Sequence, residues 1–284
     1  MKADCHIHMV LDGIDWKNAI RRHVYAPDEA YIRSILALYQ KLGYTHLRDG
    51  GDRWGVSALA RQLAPEYGIC YLTPLAPISK VGHYGGFIGE QFASLEEYTA
   101  LVRNHRAQGA DFIKIMISGL MDFHRFGVLS EEGLPSPEIR EMVHIAHEEG
   151  FSVMAHANGA RILQAAAEAG VDSVEHGAYA NTEALQAMAD NHVIWVPTMS
   201  TVGNLLKTQQ YDRFDPTAAS SLLEQFLANI SAFSQMGGVL APGTDAGAWA
   251  VPHGAETEDQ WLLDAGLTPQ SLEDGAEQII KRFS

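Results

Sequence analysis

The sequence has little cysteine, a shortage of positive charge and no long apolar run. Only Cys5 and Cys70 occur in 284 residues. Both fall in apolar, strand-like runs, and two thiols cannot build a disulfide framework. Stability must therefore come from a packed core, and a reducing, cytoplasmic compartment is expected. Lys and Arg number 20 against 35 Asp and Glu, a formal net charge of −15. A surface of that sign repels the phosphates of nucleic acids and anionic lipids, so the expected partner is a small molecule, with no nucleic acid and no membrane. A homo-oligomer is left open. No apolar stretch approaches the roughly 20 residues that span a bilayer, and the opening MKADCH turns polar where a signal peptide would be apolar. Also missing is the Gly-rich phosphate turn that would follow the first strand of a nucleotide-binding sheet; the residues there are MVLDGIDWKN.

What is present is an ordinary globular balance, 46% hydrophobic and 19% charged. Short apolar runs alternate with amphipathic helical patterns. Strand candidates lie in ADCHIHM, YTHLRDG, ICYLTPLAP, DFIKIMIS, FSVMAHA, VDSVEHG, VIWVPTM and GVLAPGTDA. Helical stretches such as SLEEYTALVRNHRAQG, SPEIREMVHIAHEEG and GARILQAAAEAG separate them, each ending in Gly, as a helix C′ position would. Strand–helix alternation implies parallel strands with helical crossovers. Eight such units at this length predict an α/β fold, a (β/α)8 TIM barrel occupying 1–284 as one domain. An open doubly wound sheet is the alternative, and the absent phosphate turn argues against it.

The 13 histidines are the unusual feature. His144 and His147 sit in a helical pattern, and His23, His105 and His192 have no motif around them. His6-Ile7-His8 is different: strand side chains alternate with period two, so both imidazoles face the same way, with Asp4 on that face. Two neutral imidazoles so spaced can grip a metal ion, although the HxH pattern alone is weak. Lys114 alternates with isoleucines in FIKIMI and should face inward while they face the helices. A buried ammonium is expensive unless paired. It either pairs with a carboxylate such as Asp49, or it loses its proton and reacts with CO2 to give a carbamate that could bridge two cations. His156, His176 and Asp245 each close an apolar run just before a turn. Metal-competent residues thus end strands one, four, five, six and eight, on the face where a barrel builds its site.

In their order, DCHIH, FIKIMISG, AHANGA, VDSVEHG and PGTDAG resemble the successive signatures of the amidohydrolase superfamily. The flavour is that of Xaa-Pro dipeptidases and imidazolonepropionase-related proteins. The resemblance implies two divalent ions, usually Zn2+. His6, His8 and Asp245 would hold the more buried one and His156 and His176 the more exposed one, with Lys114 bridging as a carbamate. It further implies hydrolysis of an amide bond in a small molecule, such as a dipeptide or an N-acyl amino acid, by a hydroxide shared between the ions. Asp245 would then move the proton from water to the leaving nitrogen. Hydrolysis of a cyclic amide or lactone at the same centre, and a non-catalytic metal-binding barrel, are the competing readings.

Two departures from the superfamily pattern stand out. The usual accessory β-sandwich domain has no counterpart, so a barrel alone is expected. Asn158 stands where a second histidine often follows the fifth-strand ligand; it can hydrogen-bond but is a poor zinc ligand. Secondary candidates for substrate contact are His83 in KVGHYGG, placed to stabilise an oxyanion, Asn158 itself, Arg125 beside His124 in MDFHRFG, where it could grip a carboxylate, and Tyr179. His83, Arg125 and Tyr179 also read as ordinary loop residues. Trp195 and Trp261 read as packing residues.

Overall fold

The computed structural model describes residues 1–208, 210 and 212–284. Among the described residues ten parallel strands form: β1 Ala3–Ile7, β2 His46–Asp49, β3 Cys70–Leu72, β4 Ile78–Lys80, β5 Glu90–Phe92, β6 Ile113–Met116, β7 Val153–Ala157, β8 Ser173–His176, β9 Ile194–Val196 and β10 Val239–Leu240. They make two sheets, ordered β1-β2-β3 and β10-β9-β8-β7-β6-β4-β5. Backbone hydrogen bonds join the sheets at both seams. At one, Cys5 N donates to Pro242 O at 2.9 Å and Asp245 N to His6 O at 2.7 Å; at the other, Asp111 N donates to Thr73 O at 3.0 Å.

All eight predicted runs carry strand. The third behaves differently from its neighbours, because β3 stops before Pro74, Leu75 (φ 68°) and Pro77 and the chain resumes as β4 beside β6. Two prolines without N–H groups and a left-handed leucine cannot continue a ladder. Neither β4 nor β5, which follows it, was revealed by the sequence pattern.

The helices begin and end for local reasons. Ser94 caps Leu95–Gln108 by accepting from Glu97 N at 3.3 Å, and Gly109 (φ 76°) terminates it in the left-handed region. Thr268 and Ser271 form a reciprocal capping box at the start of Pro269–Phe283.

Alternation along the strands sorts the side chains. Ile113, Ile115, Val153, Ala155, Val174 and Trp195 pack against helix residues such as Ile139, Met142 and Leu163 in the largest apolar cluster. A second cluster joins Ile7, Leu47 and Tyr71 to Ile32, Leu36 and Val56. Residues of opposite register, Cys5, Phe112, Met154 and Val196 among them, meet Ile279 and Phe283 of the last helix. Of the two cysteines, Cys5 is buried and Cys70 is exposed at the start of β3. Among the described residues, no helix is long and apolar enough to cross a membrane.

Candidate metal and active site

The strand register delivers the six candidate ligands. His6 lies inside β1 and is fully buried, and His8 follows it one turn of the pleat later, partly open to a cavity. Their Nε2 atoms are 3.4 Å apart. Asp245 comes from the segment after β10; its Oδ1 is 3.3 Å from His8 Nε2 and 3.7 Å from His6 Nε2. One ligand atom from each of His6, His8 and Asp245 lies within 4.8 Å of the others. The His176 ring is 5.2 Å from that of His6 and 4.6 Å from that of His156, between centroids. Lys114, with His8, His156, His176 and Asp245, lines the same cavity of about 390 Å³.

Backbone strain marks two of these positions. His176 has φ 66° and Asp245 φ 59°, left-handed values that non-glycine residues rarely adopt. At His176 this breaks strand alternation. Thr198, with φ 51°, meets the strained imidazole at Nδ1 through its hydroxyl, 2.7 Å away, and Trp195 Nε1 donates to the His176 carbonyl at 2.8 Å.

Burial sets the protonation pattern. It pulls His8 and His156 down to about 3 and His6 and His176 well below the ordinary imidazole value, with the nearby Lys114 charge adding to the effect at each. All four imidazoles are therefore neutral near pH 7, the form that ligates metal. Burial pushes Asp245 up to about 7 against the attraction of Lys114, and draws Lys114 down to about 8 against the pull of Glu175. Lys114 does not pair with Asp49, whose carboxylate instead accepts from Met9 N at 2.9 Å, Gly51 N at 2.5 Å and the Tyr71 hydroxyl at 2.5 Å. Among the described residues no ion pair holds the Lys114 amine, and Asp245 Oδ1 and His8 Nδ1 are buried without hydrogen-bond partners. Neutral nitrogens, an unpaired carboxylate oxygen and an unpaired amine in one cavity form a donor set that fits a divalent cation such as Zn2+.

Of the other sequence candidates, Asp4 and Asn158 touch ligand residues: Asp4 Oδ1 accepts from His6 N at 3.4 Å, and Asn158 Nδ2 lies 3.4 Å from His156 Nε2. Asp4 faces Thr244, accepting from its N–H at 2.9 Å and its hydroxyl at 2.7 Å, and so ties the β1 seam. Asn158 is fully buried, and besides His156 its amide meets backbone: Nδ2 donates to Gly119 O at 3.1 Å, and Oδ1 accepts from Ala178 N at 3.0 Å. It braces the loops under His156. His83 lies 3.5 Å from Glu131, and its neighbour Tyr84 lines the cavity instead, with its ring 4.9 Å from His156. Arg125 is mostly exposed and paired with Asp122 at 2.6 Å, and His124 is exposed on the same turn. Tyr179 stacks edge-on against Phe126 at 5.5 Å. The cavity wall is apolar, with Leu11, Trp16, Phe87 and Met121 among its residues, and carries Arg213, whose guanidinium lies 4.0 Å above the Trp249 ring.

Sequence reasoning passed over Glu175, Arg48, Tyr84 and Arg213. Glu175 was legible in principle, as an acid in the middle of an apolar strand.

No protein-family profile matches the sequence. Ochratoxinase of Aspergillus niger is 30% identical over 236 residues, which cover 70% of this chain and 47% of that protein. The chain thus spans about half the length of the curated relatives it matches. A Xaa-Pro dipeptidase crystallised with methionine in its active site superposes with a TM-score of 0.79 at 23% identity, over 98% of this chain and 75% of the other. A prolidase complexed with N-methylphosphonate-L-proline superposes at 0.74 with 20% identity, over 100% and 72%. At these identities the superpositions show a shared fold. The chain is therefore similar in sequence to ochratoxinase and shares a fold with dipeptidase-like structures, in keeping with the resemblance read from the motifs.

Proposed function

We propose that this relative of the amidohydrolases is a metal-dependent hydrolase that cleaves an amide bond in a small molecule. The two hydrogen-bonded seams support reading its strands as one closed (β/α)8 barrel. In this reading His6, His8 and Asp245 would hold one divalent ion and His156 and His176 a second, with Lys114, as a carbamate, a ligand to both. The observation that carries it is the convergence on one cavity of neutral imidazoles, an Asp245 oxygen without a hydrogen-bond partner and a buried lysine that no carboxylate pairs. Bound there, the ions would supply Lewis-acid charge that acidifies a water molecule and polarises a carbonyl.

The chain's own residues do the rest. Asp245 takes a proton from the attacking water on its carboxylate and returns it to the departing nitrogen. The apolar wall excludes bulk water and receives an apolar side of the substrate. A cavity of about 390 Å³ suits a dipeptide or an N-acyl amino acid, and Arg213 is the wall's cation for a carboxylate. That role passes to Arg213 because Arg125 is turned toward Asp122.

The test is metal analysis of protein prepared with zinc, followed by a panel of dipeptides, N-acyl amino acids and lactones with and without chelator. Amide turnover that chelation abolishes and zinc restores is expected. Bound metal with no turnover of any substrate would leave a metal-binding barrel; turnover of lactones alone would move the activity to esters.

A further inference from the structure

A buried polar chain runs behind the candidate ligands and crosses from one sheet to the other. Arg48 on β2 is 1% exposed and Glu175 on β8 is fully buried. The guanidinium donates to Glu175 Oε1 at 2.9 Å and Oε2 at 3.0 Å, to Ser173 Oγ at 2.9 Å and to the Cys5 carbonyl at 2.7 Å. Ser173 in turn donates to Glu175 Oε1 at 2.5 Å. Phe283 and Phe112 cover the guanidinium, at 4.6 and 5.9 Å from ring centroid to Cζ. The remaining lone pair of Glu175 Oε2 meets His6 Nδ1 at 2.7 Å.

Each link constrains the next. Arg48 has only donors, and a carboxylate paired with it has only acceptors. The proton in the Glu175–His6 bond must therefore sit on His6 Nδ1. A neutral imidazole carries one proton, so Nε2 holds the lone pair. Nε2 is also the atom 3.4 Å from His8 Nε2 and 3.7 Å from Asp245 Oδ1. An ion pair this deep is a poor way to gain stability, since removing both charges from water offsets most of their attraction. Its geometry nevertheless dictates one tautomer and one ring orientation at one ligand.

We propose that Glu175, held by Arg48 and Ser173, is a positioning residue that locks His6 in its Nδ1–H tautomer and so presents Nε2 to the metal site. The proposal rests on the metal reading for its consequence but not for its first test. A carboxylate behind an imidazole raises the basicity of the ligating nitrogen, and losing such a partner typically weakens metal affinity about 10- to 100-fold.

Two measurements decide it. The first is the 15N imidazole spectrum of the metal-free wild-type protein, where His6 should show a protonated Nδ1 and an unprotonated Nε2. An Nε2–H tautomer overturns the proposal whether or not the protein binds metal. The second is zinc affinity by chelator competition in Glu175→Gln and in Arg48→Met/Glu175→Gln. The double variant leaves no unpaired buried charge and stands in if the single one does not fold. Expected are a 10- to 100-fold weaker affinity and a His6 spectrum with mixed tautomers. Wild-type affinity in a folded variant overturns the proposal. Wild-type protein that binds no zinc overturns the metal reading instead, while the spectrum still decides the tautomer.

Discussion

At His8 the site depends on the absence of an atom. A Cβ built on Gly50, which follows β2, would overlap the His8 ring at Cε1 and Nδ1. Backbone conformation does not demand glycine there, because Gly50 is outside the left-handed set; the imidazole does. Gly50→Ala should turn His8 out of line and weaken zinc binding tenfold or more in chelator competition, the scale of a misplaced ligand partner. Unchanged affinity would mean that His8 yields freely. Asp245 tests the chemistry rather than the packing. Asp245→Asn keeps the shape and removes the proton acceptor, so kcat on an amide substrate should fall about 10²- to 10⁴-fold. A variant with wild-type kcat would move the proton transfer elsewhere. Sequence pattern was sufficient for His6, His8 and Lys114, because period-two alternation is a local property of a strand. It was insufficient for Glu175, since alternation puts Glu175 and His176 on opposite faces. Only the strained φ of His176 lets both neighbours serve the same site.

At the scale of elements, the last helix closes the underside of the strands. Leu272, Ala276, Ile279 and Phe283 are its buried stripe, and Phe283 also covers Arg48. Its start is set by Thr268, which accepts from Ser271 N at 3.1 Å while Ser271 Oγ accepts from Thr268 N at 2.9 Å. Thr268→Ala should lower stability by about 1 kcal/mol in urea unfolding, the usual value of an N-cap. A loss of a few tenths would mean that packing alone holds the helix. Glycine stops and apolar runs marked these elements well along most of the chain. They failed between Cys70 and Phe92, where the predicted run carries only β3 and two further strands, β4 and β5, follow it. Proline and a left-handed leucine interrupt the ladder there, and which strand the chain rejoins is a matter of long-range pairing.

For the whole molecule, buried titratable groups pull stability in opposite directions with pH. Burial depresses His253 to about 4, against its bond to the Leu11 carbonyl. Unfolded imidazole takes a proton below about pH 6.5, and the folded one refuses it until about 4, so this group makes stability fall as pH falls through that window. Burial raises Asp4 and Asp49 to about 7 and Glu258 to about 8. Those folded carboxyls keep protons that the unfolded chain has released, so they make stability fall as pH rises from about 4. A difference measurement isolates one sign. His253→Gln should be less stable than wild type at pH 8, having lost the ring beside Tyr39 and the bond to Leu11. The gap should narrow by about 1.4 kcal/mol per pH unit between 6.5 and 4. A gap independent of pH would mean that the folded protein accepts the His253 proton readily.

Composition, alternation and turn residues determined the α/β class, the parallel strands and the identity of the six candidate ligands, because these depend on neighbours in the chain. The tertiary structure decided what surrounds them: Arg213 rather than Arg125 on the cavity wall, Asn158 bracing backbone, Asp4 tied to Thr244, and Glu175 joined to Arg48 behind His6. Those contacts link residues tens to hundreds of positions apart. No local period encodes which side chains meet when strands from distant parts of a chain come to face one another.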